Sequence, residues 1–192
     1  MPPRAARAPA GKSTAHVRTK VVSKSLKEIY EDQCKDRQVN VNSSVAASLP
    51  ERQGAALPTD TLDMSRNYLG DNGIVPLLSV VERNPNLRIV SFVENGLRNN
   101  AIIALCAVAS RHPGLRSIDV SDNCISEGAG NALIKLLEEN PRITTLGIRN
   151  TRIDVELRVR IKDLLEKNNA LSGGGGGGAV AAVGSAATAA HH

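Results

Sequence analysis

Residues 118–125 read Ile118-Asp-Val-Ser-Asp-Asn-Cys-Ile125, and the same pattern stands 28 residues earlier as Val90-Ser-Phe-Val-Glu-Asn-Gly-Leu97. It stands 28 residues before that as Leu62-Asp-Met-Ser-Arg-Asn-Tyr-Leu69. A fourth copy follows as Leu146-Gly-Ile-Arg-Asn-Thr-Arg-Ile153, with Thr151 where the others carry Asn. Three residues before each copy come Thr59, Leu87, Leu115 and Ile143. A fixed period of this length marks a repeat architecture, in which one supersecondary unit is copied along the chain.

The physics of the unit is legible. Alternation such as Leu62-x-Met64 or Ile118-x-Val120 sends two side chains to one face of a short strand. The Asn three residues later carries both donor and acceptor, so it can satisfy backbone groups of a buried bend. The second half of each unit has helical spacing, with Leu77 and Val81, Leu105 and Ala109, Leu133 and Leu137, and Ile161 and Leu165 on one face. Helical stretches end at Asn84-Pro85, His112-Pro113 and Asn140-Pro141, and the expected end of the fourth is Asn168-Asn169. Proline stops a helix and sends the chain back toward the next strand. One strand and one helix cannot bury a core alone, so the units must stack as a solenoid.

Ahead of the repeats, Ser25 and Glu28 form a capping-box pair, and Leu26, Ile29, Tyr30 and Cys34 share one helical face. A helix ending near Arg37 is expected. An extended link, a Ser cap and a short second helix should follow, stopped by Pro50. Cys34 reads as a small core residue.

These features resemble a leucine-rich repeat protein of the ribonuclease-inhibitor-like type, over residues 59–171. The resemblance implies an α/β, right-handed solenoid of four strand–helix repeats with a parallel sheet on its concave face. Residues 23–58 would form its N-terminal helical cap. Tyr30 and Cys34 with Val41-Asn42-Ser43, together with Asn84-Pro-Asn-Leu87 and Leu62 to Gly70, resemble repeat proteins associated with centrioles and cilia. Tropomodulins and GTPase activators of the Ran class share the repeat. Such a repeat is specific for fold and not for function. Thr151, with Gly147 in the strand, departs from the pattern and marks the fourth copy as terminal or atypical.

Charge separates the ends from the body. Seven of the 24 basic residues lie in residues 1–27, which contain no acid, and the remaining 17 stand against 19 acids. Residues 1–22 read as a basic disordered arm, with Arg4, Arg7, Lys12, Arg18, Lys20 and Lys24 as its candidate contact residues. The basicity of the whole chain therefore does not describe a nucleic-acid-binding domain, and three aromatics are too few for a base-stacking platform. An acid-free Arg/Ala/Ser start also fits a mitochondrial presequence, although Pro2, Pro3 and Pro9 interrupt the helix that one needs. No apolar run approaches the ~20 residues of a membrane span, so a soluble chain with no membrane partner is expected. Three separated cysteines fit a reducing, cytoplasmic setting.

No catalytic or metal-binding constellation emerges from the His and Cys positions, and no cofactor is expected. Gly11-Lys12-Ser13 lacks the earlier glycine and the preceding strand of a phosphate loop. The expectation is a non-enzymatic protein-interaction module. The ciliary resemblance implies a structural component of a cilium, flagellum or other microtubule assembly, with the arm reaching tubulin. The alternatives are an actin- or small-GTPase-regulating protein, for which Arg66 and Arg98 are candidate arginines, and a component of a ribonucleoprotein or organelle complex. On the concave face the candidate partner-binding residues are Asp63, Ser91, Glu94, Asp119, Asp122 and Arg149. On the terminal repeat they are Arg152, Arg158, Arg160 and Lys162. A fifth copy would start at Leu171, but a Gly/Ala-rich tail spans 172–192. A solenoid ending there leaves a strand edge to be covered, by a partner or by that tail.

Overall fold

A computed structural model of the protein describes residues 23–173. Two cap helices come first, α1 (Leu26–Asp36) and α2 (Ser43–Ser48). Four strand–helix pairs follow: β1 (Thr61–Asp63) with α3 (Gly70–Glu82), β2 (Ile89–Ser91) with α4 (Asn99–Arg111), β3 (Ser117–Asp119) with α5 (Glu127–Glu139), and β4 (Thr145–Gly147) with α6 (Val155–Gly173). The strands form one parallel sheet in the order β1-β2-β3-β4. Thr61 pairs with Ile89, Ile89 with Ser117, and Ser117 with Thr145, so the register is the 28-residue period itself. This is the α/β leucine-rich-repeat-type solenoid with a helical cap that the repeat implies.

The core lies between sheet and helices. Leu62, Val90 and Ile118 point inward from the strands, and Met64, Phe92 and Val120 follow them two residues later. Ile74, Leu77 and Val81 of α3 meet them, as do Ile102, Leu105 and Ala109 of α4 and Leu133, Ile134 and Leu137 of α5. Each fully buried Leu or Ile contributes roughly 1.5–3 kcal/mol by leaving water. The corresponding β4 residues Leu146 and Ile148 are only half-buried, because among the described residues no further strand packs beside β4.

Two ladders of polar residues tie the repeats together. Asn95 donates from Nδ2 to the Met64 carbonyl, and its Oδ1 accepts from the Asn67 backbone at 3.0 Å. Asn123 repeats this one unit on, with Phe92 O and the backbone N–H groups of Asn95 and Leu97 as its partners. The second ladder runs along the helix ends through Asn84, His112, Asn140 and Asn168, all buried. His112 Nδ1 accepts from the Gly114 and Leu115 backbone, so its proton sits on Nε2, which lies 3.0 Å from Asn84 O. Reading His112 as a helix-end residue is right as far as it goes. The pattern did not show that its ring carries the turn into β3.

The cap meets the expectation for α1, including the reciprocal Ser25–Glu28 bonds and the burial of Leu26, Tyr30 and Cys34. The cap of α2 differs from it. Asn42, not Ser, accepts from Val45 N at 3.1 Å. Its Nδ2 also donates to Asn67 O at 2.7 Å, so this one residue starts α2 and extends the asparagine ladder into the cap.

The end of the solenoid differs more. No proline occupies position 169, so α6 runs through 171 to Gly173, and Leu171 lies on a helix instead of opening a fifth strand.

Candidate protein-binding surface

The outward residues of the sheet form rows across the four repeats. The row Asp63, Ser91, Asp119 and Gly147 lies on the strands. Asp63 Oδ1 accepts from the backbone and hydroxyl of Ser65, and Ser65 Oγ lies 2.9 Å from Ser91 Oγ. Asp119 Oδ1 accepts from Ser121 N at 2.9 Å. Its carboxylate lies over Gly147, where a Cβ would fall 2.1 Å from Oδ1. Gly147 therefore leaves room for an acid on its neighbour.

Beyond the strands the chain turns at Arg66, Glu94, Asp122 and Asn150, all with left-handed backbone, φ between 52° and 59°. Asn and Asp tolerate this region better than most residues, whereas Arg and Glu have no such advantage. The turn aims all four side chains along one line. Arg66 Nε donates to Glu94 at 2.7 Å, and Asp122 accepts from Asn150 Nδ2 at 2.7 Å with Arg149 3.7 Å away. These groups and Arg152 border an open concavity of about 540 Å³. Exposed ion pairs contribute about 0–1 kcal/mol to folding, so this charge row is weakly explained by stability. The concavity is too open to exclude water from a reacting group.

The terminal-repeat residues divide between three places. Arg152 is exposed beside the concavity. Arg160 pairs with Glu138 and Lys162 with Glu166, both on the helical side of the molecule. Arg158 is a correction to the expected surface set. Its guanidinium donates to the carbonyls of Ile148, Thr151 and Ile153 and to the Thr151 hydroxyl, so its donors are engaged inside the repeat. Lys24 is a second correction, since it pairs with Asp32 of α1 and belongs to the cap. Arg4, Arg7, Lys12, Arg18 and Lys20 lie outside the described residues, as does the tail.

The groups with shifted ionisation lie away from this surface. Burial pushes the Cys106 thiol up to about 12, and burial also raises Cys34. Tyr30 is pushed up to about 12 by burial, with a partly opposing bond from Asn42 N. In the cap, Lys27 holds the Glu51 carboxyl below its ordinary value. Among the described residues no cluster of three His, Cys, Asp or Glu could hold a metal ion, and no helix is long and apolar enough to cross a membrane.

One residue of this edge escaped the sequence reading. Tyr68 is 91% exposed and has a left-handed backbone, φ 51°. The next repeat carries Gly96, φ 69°, at the same position. That alignment, bulky aromatic against glycine, was the available signal. A non-glycine residue held there costs roughly 1–2 kcal/mol.

No protein-family model matches the chain, and no curated protein matches it. Among solved structures, it is similar to an actin-binding site 2 domain of leiomodin-1 at 14% identity and a TM-score of 0.46, covering 60% of this chain and 83% of that one. It is also similar to the tropomodulin C-terminal domain of Caenorhabditis elegans at 12% identity and a TM-score of 0.41, covering 77% of this chain and 95% of that one. At these values the likenesses carry nothing about what this chain binds.

Proposed function

We propose that this chain is a non-enzymatic protein-binding module whose inner sheet face and adjoining turn row dock a partner protein. The observation that carries the reading is the turn row Arg66, Glu94, Asp122 and Asn150. One backbone conformation, repeated every 28 residues, presents charged and amide side chains on one line beside Arg149 and Arg152. Charges of both signs fixed on a rigid scaffold orient a partner and set its register more than they add affinity.

The partner class proposed is a cytoskeletal filament. The actin-regulating and ciliary microtubule readings both rest on the sequence resemblance. Co-sedimentation of the 192-residue chain with actin filaments and with microtubules, across a salt series, tests them together. Binding to one filament is expected, lost in Asp122→Lys and in Arg149→Glu, each of which reverses one charge of this surface. Pelleting that follows only residues 1–22 and vanishes with salt would assign binding to the basic arm instead. No pelleting with either filament would withdraw the cytoskeletal partner.

A further inference from the structure

We propose that the open edge of β4 and the adjoining face of α6 form a self-association surface, which pairs with the same surface of a second copy of this chain. The inference does not rest on the filament reading, which concerns the sheet face and the turn row.

The edge has three backbone groups to fill. Thr145 N donates to Arg116 O and Gly147 O accepts from Val120 N, so residues 145 and 147 face β3. Successive residues of a strand turn their backbone groups to opposite sides, which leaves 144, 146 and 148 on the open side. Asn169 donates to Thr144 O at 3.0 Å and Arg158 to Ile148 O at 3.1 Å. Among the described residues nothing bonds Leu146 N–H, Leu146 O or Ile148 N–H. Leu146 thus keeps both its donor and its acceptor. An antiparallel pair centred on one residue requires just that, since Leu146 of each copy then exchanges two bonds with the other. Two residues on, Ile148 N–H meets Thr144 O of the second copy, a carbonyl with a lone pair left beside its bond from Asn169.

The face of α6 beside this edge is complementary to itself about the same axis. Arg158 and Asn169 bond the carbonyls on either side of Leu146 and lie about three helical turns apart, so they mark one face of α6. Lys162, Leu165 and Glu166 share that face by helical spacing. The centre of the span falls at residues 163–164, and a two-fold axis through Leu146 crosses α6 there. Lys162 and Glu166 stand on either side of that point. The axis therefore sets Lys162 of each copy against Glu166 of the other, with the half-buried Leu146, Ile148 and Leu165 gathered around it. Both charges are exposed and pair only along their own helix, at 3.7 Å. The other ionic groups toward this side are engaged, Arg158 by carbonyls and Asp154 by Leu157 N.

An isologous pair needs a self-complementary patch, and here hydrogen bonds, apolar groups and charges are disposed about one axis. The chain's own continuation is the poorer filler. A fifth copy of the period would bring Gly174 and Gly176 beside Leu146 and Ile148, with no side chain to cover them. One short strand and a few helical turns make less than a standard interface, so the dimer should form and dissociate with concentration.

Sedimentation velocity of the full chain over a dilution series tests this, together with hydrogen exchange at Leu146 and Ile148. A dimer that dissociates on dilution is expected, with both amides protected only in the dimer. Lys162→Glu and Glu166→Lys should each weaken it at least tenfold, by setting like charges across the axis. An equimolar mixture of the two variants should restore it, since one chain then supplies two acids and the other two bases. A monomer at every concentration would overturn the proposal, as would single variants that dimerise like wild type or a mixture that stays monomeric. Protection of Leu146 in the dilute monomer would assign the edge to the chain's own tail and overturn it as well. The filament test reads separately, since Asp122→Lys changes the turn after β3 and leaves this edge intact.

Discussion

The guanidinium of Arg158 lies 2.7 Å from the carbonyl oxygen of Thr151 and 2.9 Å from its hydroxyl, and it does in the fourth repeat what asparagine does in the second and third. Thr151 has one hydroxyl, whereas Asn95 and Asn123 each offer an amide donor and a carbonyl acceptor. Arg158 supplies the missing donors from one turn into α6, reaching Ile148 and Ile153 as well. Asn169 adds a bond to Thr144 O and Asn168 one to Ile143 O. The register turns residues 144, 146 and 148 toward the open side of β4. The carbonyls of the first and last are thus capped by α6, which answers part of the exposed-edge problem without a partner.

Arg158→Lys should open this terminus, because an ammonium cannot span three carbonyls in a fork. We expect a loss of about 1–3 kcal/mol of stability. Amide hydrogen exchange should quicken over Leu146–Ile153 and leave β2 and β3 protected. Uniform loss of protection along the chain would show that the cap is not local.

The asparagine ladder should be stronger at its buried rungs, Asn95 and Asn123, than at Asn67. Asn123→Ala leaves the Asn95 and Leu97 N–H groups and the Phe92 carbonyl without that partner in a buried bend. About 3 kcal/mol or more should be lost, since each buried orphan costs roughly 1–3 kcal/mol. Asn67 is half-buried and donates to Ser65 O, so Asn67→Ala should cost nearer 1 kcal/mol. Urea unfolding of both variants gives the ratio, and equal losses would contradict the ladder's gradient.

Glycine has different reasons at two positions. At Gly114 a Cβ would stand 2.5 Å from Pro85 O and 2.6 Å from Leu87 O, both backbone atoms with little room to move. Gly114→Ala should therefore cost roughly 2 kcal/mol or more. Gly96 has open space around it and only its left-handed backbone to satisfy, so Gly96→Ala should cost about 1 kcal/mol. Thermal melts that rank the two the other way would refute this assignment.

Of the three cysteines only Cys124 is exposed. In native protein at neutral pH, a thiol reagent should modify one equivalent at Cys124. Cys34 and Cys106 should react only on unfolding, since burial both hides them and raises their ionisation above the ordinary range. Mass mapping of the labelled sites decides this.

Alkaline pH should destabilise the fold through Cys106 and Tyr30, both pushed up to about 12. Their neutral forms are favoured in the folded state, so their contribution is complete below the unfolded values, near 9 and 10. It is lost as pH rises toward 12. Urea midpoints measured from pH 8 to 11 should fall, and Cys106→Ala should flatten part of that slope.

By itself the sequence determined whatever repeats. The 28-residue period set the strand register, the inward pairs such as Leu62 and Met64, the helix faces, the proline stops and the Asn95–Asn123 rungs. These depend on spacing along the chain, and stacking identical units turns spacing into contact. The tertiary structure alone decided what breaks the period. Arg158 joins a donor in a helix to carbonyls seven and ten residues behind it, and Asn42 meets Asn67 across the cap boundary. Asp119 lies over Gly147, and Tyr68 holds a backbone that its sequence neighbours do not announce. A long or flexible side chain has no fixed reach in a pattern of apolar positions; its partner is chosen only when two separately folded segments come within hydrogen-bonding distance.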